Sequence, residues 1–317
     1  MKHYIIPFFL TFQGCPHRCI YCDQKAIAGE PTGEVASVME TFLKYHGSEE
    51  YSAEIAFFGG TFSLLPFQRQ QELLESVVPY IEKGEVRGIR FSTRPDALDE
   101  KRLIWYKERF VTHIELGVQS FQKKFLDLLR RGYAPQTARS AVEMVKKSGI
   151  GVGIQLMLGF PGQDREMFFK DIDEIRRLKP DDCRLYPLSV ISGTPLEKEY
   201  QNGGMNFISL ETAVDWVADA VEVIEKEGIG IRRIGLPHSP ELEEKIIAGL
   251  YHPSFADKVR FELLRRSFDK ADIRSGQTLA VHPADLQYTY RIARIKKKQV
   301  NVVPDSSLRR STIIIQQ

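Results

Sequence analysis

The chain has 317 residues, which is long enough for one large domain with an appendage or for two domains. Its formal net charge of +2 and its ordinary composition indicate a globular protein and favour no class of partner. It has four cysteines, three of them in one loop, so it lacks a disulfide framework. The apolar run at residues 5–12 is too short to span a bilayer and lacks signal-peptide features. We therefore predict a cytoplasmic protein that is not associated with a membrane.

Strand-like and helix-like segments alternate along the first two thirds of the chain. Hydrophobicity predicts six strands, at residues 4–12, 54–58, 86–92, 111–118, 152–158 and 183–190. Helical patterns separate them, among them predicted helices at 66–83 and 122–131, and this alternation predicts a parallel sheet covered by helices. Further along the chain, the pattern indicates helices at 209–226, 241–248 and 256–267, one more strand at 229–234, and a small α/β tail.

Glycine, polar and charged residues cluster directly after the predicted strands. The clusters are Gly59-Gly60-Thr61, Ser92-Thr93-Arg94, Gln119-Ser120 and the GFPG segment at 159–162. In β/α barrels the loops that follow the strands converge at one end of the barrel and build the active site there. The sequence therefore predicts a site at the carboxyl ends of these strands.

Cys15, Cys19 and Cys22 follow the first predicted strand with the spacing C-x3-C-x2-C. Three thiolates can hold three irons of a [4Fe–4S] cluster and leave the fourth iron open to a ligand. A zinc site would need a fourth ligand, for which His17 and Cys183 are the nearest candidates. An electron-transfer ferredoxin would normally have a fourth cysteine nearby. Buried structural cysteines are a further alternative, and the spacing favours the open cluster over all three.

The cysteine loop, with the aromatic Tyr21 just before its third cysteine, resembles that of the radical S-adenosylmethionine (SAM) enzymes. The resemblance implies an α/β fold, a partial (β/α)6 TIM-like barrel with a small C-terminal α/β extension. It also implies a [4Fe–4S] cluster on the three cysteines, with SAM bound to the open iron. Reductive cleavage of SAM would give a 5′-deoxyadenosyl radical that abstracts a substrate hydrogen. A flavodoxin or ferredoxin is the electron donor that this chemistry implies.

Residues at other strand ends match SAM-binding motifs of the same family. Gly59-Gly60-Thr61 resembles the glycine-rich motif that contacts the methionine amino group. Gln119 and Arg131 are similar to the glutamine and arginine that contact SAM in oxygen-independent coproporphyrinogen oxidases, whereas Gln155 and Ser92 replace acidic residues of those enzymes. The SAM-binding residues that the resemblance implies are Tyr21, Gly59, Gly60, Thr61, Ser92, Arg94, Gln119, Arg131 and Gln155.

Plainer structural roles are open to several of these residues. Gln119 and Gln155 could be buried amides that are satisfied by neighbouring groups, and Tyr21 could simply pack. Arg131 could be a solvated cation at a helix end, and Arg94 could pair with Asp96.

Longer stretches resemble the radical domain of the Elongator catalytic subunit and its bacterial relatives. These stretches are STRPD at 92–96, IELGVQS at 114–120, and LYPL at 185–188 followed by Gly193-Thr194. The resemblance covers most of residues 4–235, and we predict the barrel at 1–235 and a helical and small α/β accessory region at 236–317. The chain ends at Gln317 without the length for that subunit's acetyltransferase domain, so we expect radical chemistry rather than acetyl transfer.

Basic residues near the C-terminus provide a candidate RNA-binding face, with Tyr288 and Tyr290 nearby. The basic residues are Arg291, Arg294, Lys296, Lys297, Lys298, Arg309 and Arg310. A solvated helix face would have the same composition. Three hypotheses follow: a radical enzyme acting on a transfer-RNA (tRNA) base, a radical enzyme acting on a small metabolite such as a tetrapyrrole, and a non-enzymatic iron–sulfur binding or sensing protein. The last would not need the residues at the strand ends.

Overall fold

The computed structural model describes residues 2–16 and 18–316 and divides the chain into two compact units. The larger unit comprises residues 1–208 and 224–253, and the smaller unit comprises residues 209–223 and 254–317. The domain boundary expected at residue 235 stays a prediction. None of the helices in the described residues is long and apolar enough to cross a membrane.

The described residues form twelve strands and thirteen α-helices. The strands are β1 (Lys2–Phe9), β2 (Tyr51–Phe58), β3 (Ile89–Thr93), β4 (Val111–Gln119), β5 (Gly151–Leu158), β6 (Asp182–Pro187), β7 (Ser189–Ile191), β8 (Gly230–Ile234), β9 (Ile246–Gly249), β10 (Thr278–Val281), β11 (Asn301–Pro304) and β12 (Ile313–Gln316). The helices are α1 (Gln24–Ala28), α2 (Val35–His46), α3 (Phe67–Glu75), α4 (Val78–Glu82), α5 (Glu100–Lys107), α6 (Lys123–Leu128), α7 (Pro135–Ser148), α8 (Arg165–Leu178), α9 (Pro195–Gln201), α10 (Leu210–Lys226), α11 (Pro240–Lys245), α12 (Phe255–Lys270) and α13 (Leu286–Ile295).

A parallel sheet forms the frame of the larger unit. Within the described ranges it has seven strands, in the order β1-β2-β3-β4-β5-β6-β8. The sheet curls into a TIM-like half-barrel, so the predicted α/β barrel-like fold is confirmed, with β8 as one more parallel strand. The central strands are nearly continuous runs of buried residues because helices cover a parallel sheet.

Four predicted elements differ from the structure. The helix expected at 66–83 is broken into α3 and α4, because Pro79 has no N–H to continue a helix. The strand expected at 183–190 divides into β6 and β7, and β7 leaves the sheet to pair with β9. The second half of the helix expected at 241–248 forms the strand β9 instead. This segment contains Ile246 and Ile247, and β-branched residues favour strands. The helix expected to reach Arg131 ends at Leu128.

Buried charges connect the inner strands of the half-barrel. The guanidinium of Arg90, on β3, is 1% exposed and contacts three carboxylates. Its nitrogens lie 3.3 Å from Glu54 Oε2, 3.0 Å from Glu115 Oε1 and 3.4 Å from Asp182 Oδ2. Burial raises the pKa of Glu115, but Arg184 and Arg90 outweigh that effect and hold the pKa below its usual value. The three carboxylates are therefore ionised and are neutralised by arginines.

The smaller unit has its own sheet and core. β10 lies between β11, which is parallel to it, and β12, which is antiparallel. The core residues of this unit come from α12, α13, β10 and the turn after α12: Leu264, Phe268, Ile273, Leu279, Ile292 and Ala293. These elements give the predicted small α/β tail its fold.

Candidate functional site

One cavity collects all the residues that the sequence singled out for cofactor binding. It lies in the larger unit, has a volume of about 480 Å³, and is lined by the three cysteines together with the nine predicted SAM-binding residues. Most of these residues follow or end the strands, as Gly59 does for β2 and Gln119 for β4. The site therefore has the placement predicted from the strand ends, while the binding roles of its residues remain predictions.

Two glycines let the cysteine loop lie directly on the turn that follows β2. A Cβ atom on Gly60 would collide with the carbonyl oxygen of Gln13, and one on Gly14 would collide with the carbonyl oxygen of Thr61. The Thr61 amide donates a hydrogen bond of 2.9 Å to the same Gln13 carbonyl. The glycine-rich turn thus supports the cysteine loop, in addition to any contact that it makes with a cofactor.

Each of the three cysteine sulfurs has a polar neighbour. Cys15 Sγ lies 3.4 Å from the Thr61 hydroxyl, and Gln24 Nε2 donates to Cys22 Sγ at 3.4 Å. Arg131 Nη1 donates to Cys19 Sγ at 2.9 Å. Burial raises the pKa of the Cys22 thiol to about 12. A metal that binds there must displace a proton, and the three sulfurs face a common space in which it could do so.

Arg131 is buried beside the cysteines and is not a solvated cation at a helix end. The chain leaves α6 through Arg130, whose φ of +53° is left-handed, and this turn carries Arg131 inward to 4% exposure. Arg131 Nη2 donates to the Gly117 carbonyl at 2.6 Å, and Nε donates to the Tyr133 hydroxyl at 3.2 Å. Sequence reasoning missed Tyr133, which follows Arg131 by two residues and holds its guanidinium.

The two glutamines differ in their surroundings. Gln119 has a φ of +70° at a register shift between β4 and β5, an unfavourable conformation for a residue with a side chain. Such strain is frequent at functional sites, where the surrounding structure holds a side chain in place. Gln155 Nε2 donates to Glu115 Oε2 at 3.0 Å, so this glutamine is one of the partners of the charge network.

Tyr21 and Arg94 make the structural contacts that the plainer interpretation expected. Tyr21 packs against an apolar cluster that includes Phe125 and Met157. Arg94 forms two hydrogen bonds to Asp96, of 2.9 and 2.8 Å, and a third of 2.6 Å to the Arg131 carbonyl. Both side chains line the cavity as well, so packing and cofactor contact are compatible at these positions.

The donor set fits an iron–sulfur cluster better than a single metal ion. In the part of the chain that the structure describes, no three His, Cys, Asp or Glu side chains form a group that could hold one metal ion. A cluster takes each thiolate on a separate iron, so its cysteines surround a space instead of converging on a point. Of the fourth zinc ligands considered above, His17 lies outside the described residues, and Cys183 is buried in β6 and does not line the cavity.

The predicted basic face in the smaller unit is only partly available. Lys296 pairs with Asp269 at 2.8 Å, and Arg310 pairs with the buried Asp285 at 3.0 Å. The other five residues of this face form no ion pair with any of residues 2–16 and 18–316. They are Arg291, Arg294, Lys297, Lys298 and Arg309. The guanidinium of Arg291 lies over the Phe261 ring, 5.1 Å from its centroid.

Two relatives of known name are similar to most of this chain. The chain is 27% identical over 265 residues to the tRNA uridine(34) acetyltransferase of Methanocaldococcus jannaschii, covering 70% of this chain and 49% of that protein. It is 26% identical over 242 residues to the heme chaperone HemW of Lactococcus lactis, covering 74% of this chain and 62% of HemW. The chain thus spans only about half the length of the acetyltransferase.

A solved structure with a similar fold is that of Elp3 from Methanocaldococcus infernus, which lacks its N-terminal residues. It superposes with a TM-score of 0.66 at 22% identity, over 84% of this chain and 63% of Elp3. A family profile described as the radical SAM superfamily matches residues 9–175, and one described as a Radical_SAM C-terminal domain matches residues 180–265. The chain therefore belongs to the radical SAM superfamily.

Proposed function

We propose that this chain is a radical SAM enzyme that acts on a base of transfer RNA. The observation that carries the proposal is that the three cysteines and nine candidate SAM-binding residues line a single cavity. When bound, the reduced cluster and SAM supply a 5′-deoxyadenosyl radical that abstracts a hydrogen from the substrate. A flavodoxin or ferredoxin is the electron donor that we propose.

The chain's own residues hold and shield this chemistry. Cys15, Cys19 and Cys22 provide three thiolates, and Arg131 donates a hydrogen bond of 2.9 Å to the Cys19 sulfur, which orients that side chain. The amide side chain of Gln119 and the hydroxyl of Ser92 can donate to or accept from polar groups of a cofactor. Neither residue is strongly exposed, so the cavity limits the access of water to its contents.

Two observations favour transfer RNA as the substrate. Among the relatives reported above is a protein named as a tRNA acetyltransferase, and its similarity to this chain covers most of the chain. Basic side chains without an ion pair remain in the smaller unit, and phosphate contacts from such residues are what RNA binding requires. Acetyl transfer itself is not proposed.

A second candidate is a radical enzyme or carrier for a tetrapyrrole. The similarity to the heme chaperone HemW favours this alternative. A non-enzymatic iron–sulfur protein would bind the cluster without cleaving SAM.

The first test asks whether SAM is cleaved. Anaerobically reconstituted and reduced protein is incubated with SAM, and 5′-deoxyadenosine is measured together with iron and sulfide per chain. We expect Cys19→Ala to abolish 5′-deoxyadenosine formation and to lower the iron content. Cys183→Ala is the matched control, because Cys183 is buried away from the cavity and should leave both quantities unchanged. Absence of 5′-deoxyadenosine with the wild-type protein would contradict the proposal.

The second test asks for the substrate. Nucleoside digests of transfer RNA from cells with and without the gene are compared, and protein purified from cells is assayed for bound RNA and bound heme. A modified nucleoside that depends on the gene supports the proposal. Heme that copurifies in place of RNA, with unchanged digests, would establish the tetrapyrrole alternative.

A further inference from the structure

The charged residues that line the cavity are all arginines. They are Arg94, Arg131, Arg184, Arg232 and Arg233, and no Asp, Glu or Lys is among the described residues on the lining. Arg94, Arg184 and Arg232 are paired with carboxylates behind the wall, so among the described residues the positive charge without an ion pair comes from the other two arginines. Such charge attracts anionic ligands, because the low-dielectric walls of a cavity focus the field. Arg94 and Arg131 lie at the cysteine end, and the other three arginines lie on β6 and β8.

A bulge in β8 turns two consecutive arginines toward the cavity. β6 and β8 pair in register at Cys183 with Ile231, but the next pair is Arg184 with Arg233, so Arg232 is an extra residue. In a regular strand, consecutive side chains point to opposite faces. At this bulge both Arg232 and Arg233 line the cavity, and bulges commonly redirect a side chain in this way next to active sites.

Arg233 differs from the other two arginines at this end in having no partner. Arg184 Nε lies 2.6 Å from Glu115 Oε2, and Arg232 Nε lies 2.8 Å from Asp182 Oδ2. No hydrogen bond or ion pair involves the Arg233 side chain among the described residues, and this residue is exposed. Its planar guanidinium can bind a phosphate through two parallel hydrogen bonds without displacing a carboxylate.

The sheet sets the distance between this arginine and the cysteines. Gly117, Gln155, Arg184 and Arg233 lie in one row across β4, β5, β6 and β8. Gly117 accepts a hydrogen bond from Arg131 Nη2, and Nη1 of the same guanidinium donates to Cys19. Because neighbouring strands are about 4.8 Å apart, Arg233 lies roughly 14 Å along the sheet from Gly117. A ligand could therefore hold its reacting group near the cysteines and an anionic group at Arg233.

We propose that Arg233, supported by Arg184 and Arg232, binds a phosphate group of the substrate. The inference rests on the proposed function for the position of the reacting group, and it deepens that function by naming the substrate class. The phosphate belongs either to an RNA chain or to a free phosphorylated metabolite, and both present the same oxyanion to the guanidinium.

Binding measurements on anaerobically reconstituted protein test the proposal without requiring turnover. Uridine 5′-monophosphate and uridine are titrated calorimetrically, and bulk transfer RNA is titrated by filter binding. We expect wild-type protein to bind at least one phosphorylated probe about 10- to 100-fold more tightly than Arg233→Ala does, the value of a charge-assisted hydrogen-bonded contact. Uridine should bind both proteins equally. Arg69→Ala is the control, since Arg69 is an exposed arginine on α3 outside the cavity.

The probes separate the two sources of the phosphate. Weaker binding of transfer RNA by Arg233→Ala indicates an RNA phosphate, and weaker binding of uridine monophosphate alone indicates a free phosphorylated metabolite. Equal binding of both probes by wild type and Arg233→Ala would overturn the proposal, as would a variant that loses only SAM binding. The formation of 5′-deoxyadenosine is measured separately, so failure of the radical function and failure of the phosphate site are distinguishable.

Discussion

Arg90 and Arg233 belong to the same sheet, yet their surroundings are opposite. Arg90 is 1% exposed and contacts three carboxylates from three other strands. Arg233 is exposed on the cavity wall and has no ion pair among residues 2–16 and 18–316. A buried charge is stable only when partners surround it, whereas an exposed charge needs none. The comparison therefore separates arginines that maintain the fold from arginines that remain available to a ligand.

The largest expected change in the free energy of unfolding follows from replacing the buried Arg90. Arg90→Met would leave Glu54, Glu115 and Asp182 without their shared partner, and we expect it to lower the free energy of unfolding by about 3–5 kcal/mol. Urea denaturation at neutral pH measures this loss. Arg69→Met, at an exposed pair with Glu72, should change the same quantity by less than about 1 kcal/mol. Equal losses of unfolding free energy in the two variants would show that the buried ion pairs of Arg90 do not stabilise the fold more than an exposed pair does.

Asp171 extends the comparison to a buried carboxyl that no arginine contacts. It accepts hydrogen bonds from Ser120 Oγ at 2.7 Å and from the Phe121 amide at 2.8 Å. Burial raises its pKa from 3.8 to about 6. Between these values the folded chain keeps a proton that the unfolded chain has released, so the free energy of unfolding falls as the pH rises through this window.

Asp171→Asn should remove this contribution. Relative to wild type, we expect the variant to gain about 2–3 kcal/mol in the free energy of unfolding as the pH is raised from about 4 to about 7. Urea denaturation at the two pH values gives the difference. Asp173→Asn, at an exposed position on the same helix, should show no such gain. An Asp171→Asn curve parallel to that of wild type would show that the carboxyl titrates normally.

Gly60 tests how rigidly the cysteine end of the cavity is built. A Cβ at this position collides with the Gln13 carbonyl, so Gly60→Ala must displace the cysteine loop. We expect a loss of about 1–3 kcal/mol in the free energy of unfolding and less iron per chain after reconstitution. Gly33→Ala is the control, because no atom lies within 4 Å of its added Cβ. Unchanged iron content in Gly60→Ala would mean that the loop can move without losing its function.

The smallest effect is expected at Arg233. Arg233→Ala removes no ion pair seen in the described residues, so the free energy of unfolding should change by less than about 0.5 kcal/mol. Thermal or urea denaturation checks this value on the same samples used for the binding assays. A loss similar to that of Arg90→Met would mean that Arg233 serves the fold and is not free for a ligand.

The residues that motifs and strand ends singled out lie together in the structure, while their binding roles stay predictions. All twelve named residues line one cavity, because the carboxyl ends of parallel strands meet at one edge of the sheet. The spacing of cysteines and glycines is local in sequence, so these motifs can be recognised without knowledge of the tertiary structure. The parallel half-barrel was predictable for the same reason, since hydrophobic runs and helical patterns are local.

The parts that were missed depend on strand register and chain reversals. The bulge that directs both Arg232 and Arg233 inward arises from the pairing of two strands that are far apart in sequence. The turn at Arg130 buries Arg131, although the sequence pattern predicted a helix that reaches this residue. The ion pair between Arg310 and Asp285 joins residues 25 positions apart, so composition alone counted Arg310 as available to RNA. Such features follow from tertiary contacts, which no local pattern contains.

The bulge in β8 also bears on how the edges of the sheet are protected. β8 is the last strand of the sheet, and the outer backbone groups of a last strand can pair with a strand from another chain. An extra residue and two adjacent positive charges interrupt the regular ladder that such pairing requires. At the opposite end of the sheet, β1 carries Pro7, which lacks an N–H to donate. The same irregularity that exposes an arginine to the cavity thus protects one margin of the sheet from aggregation.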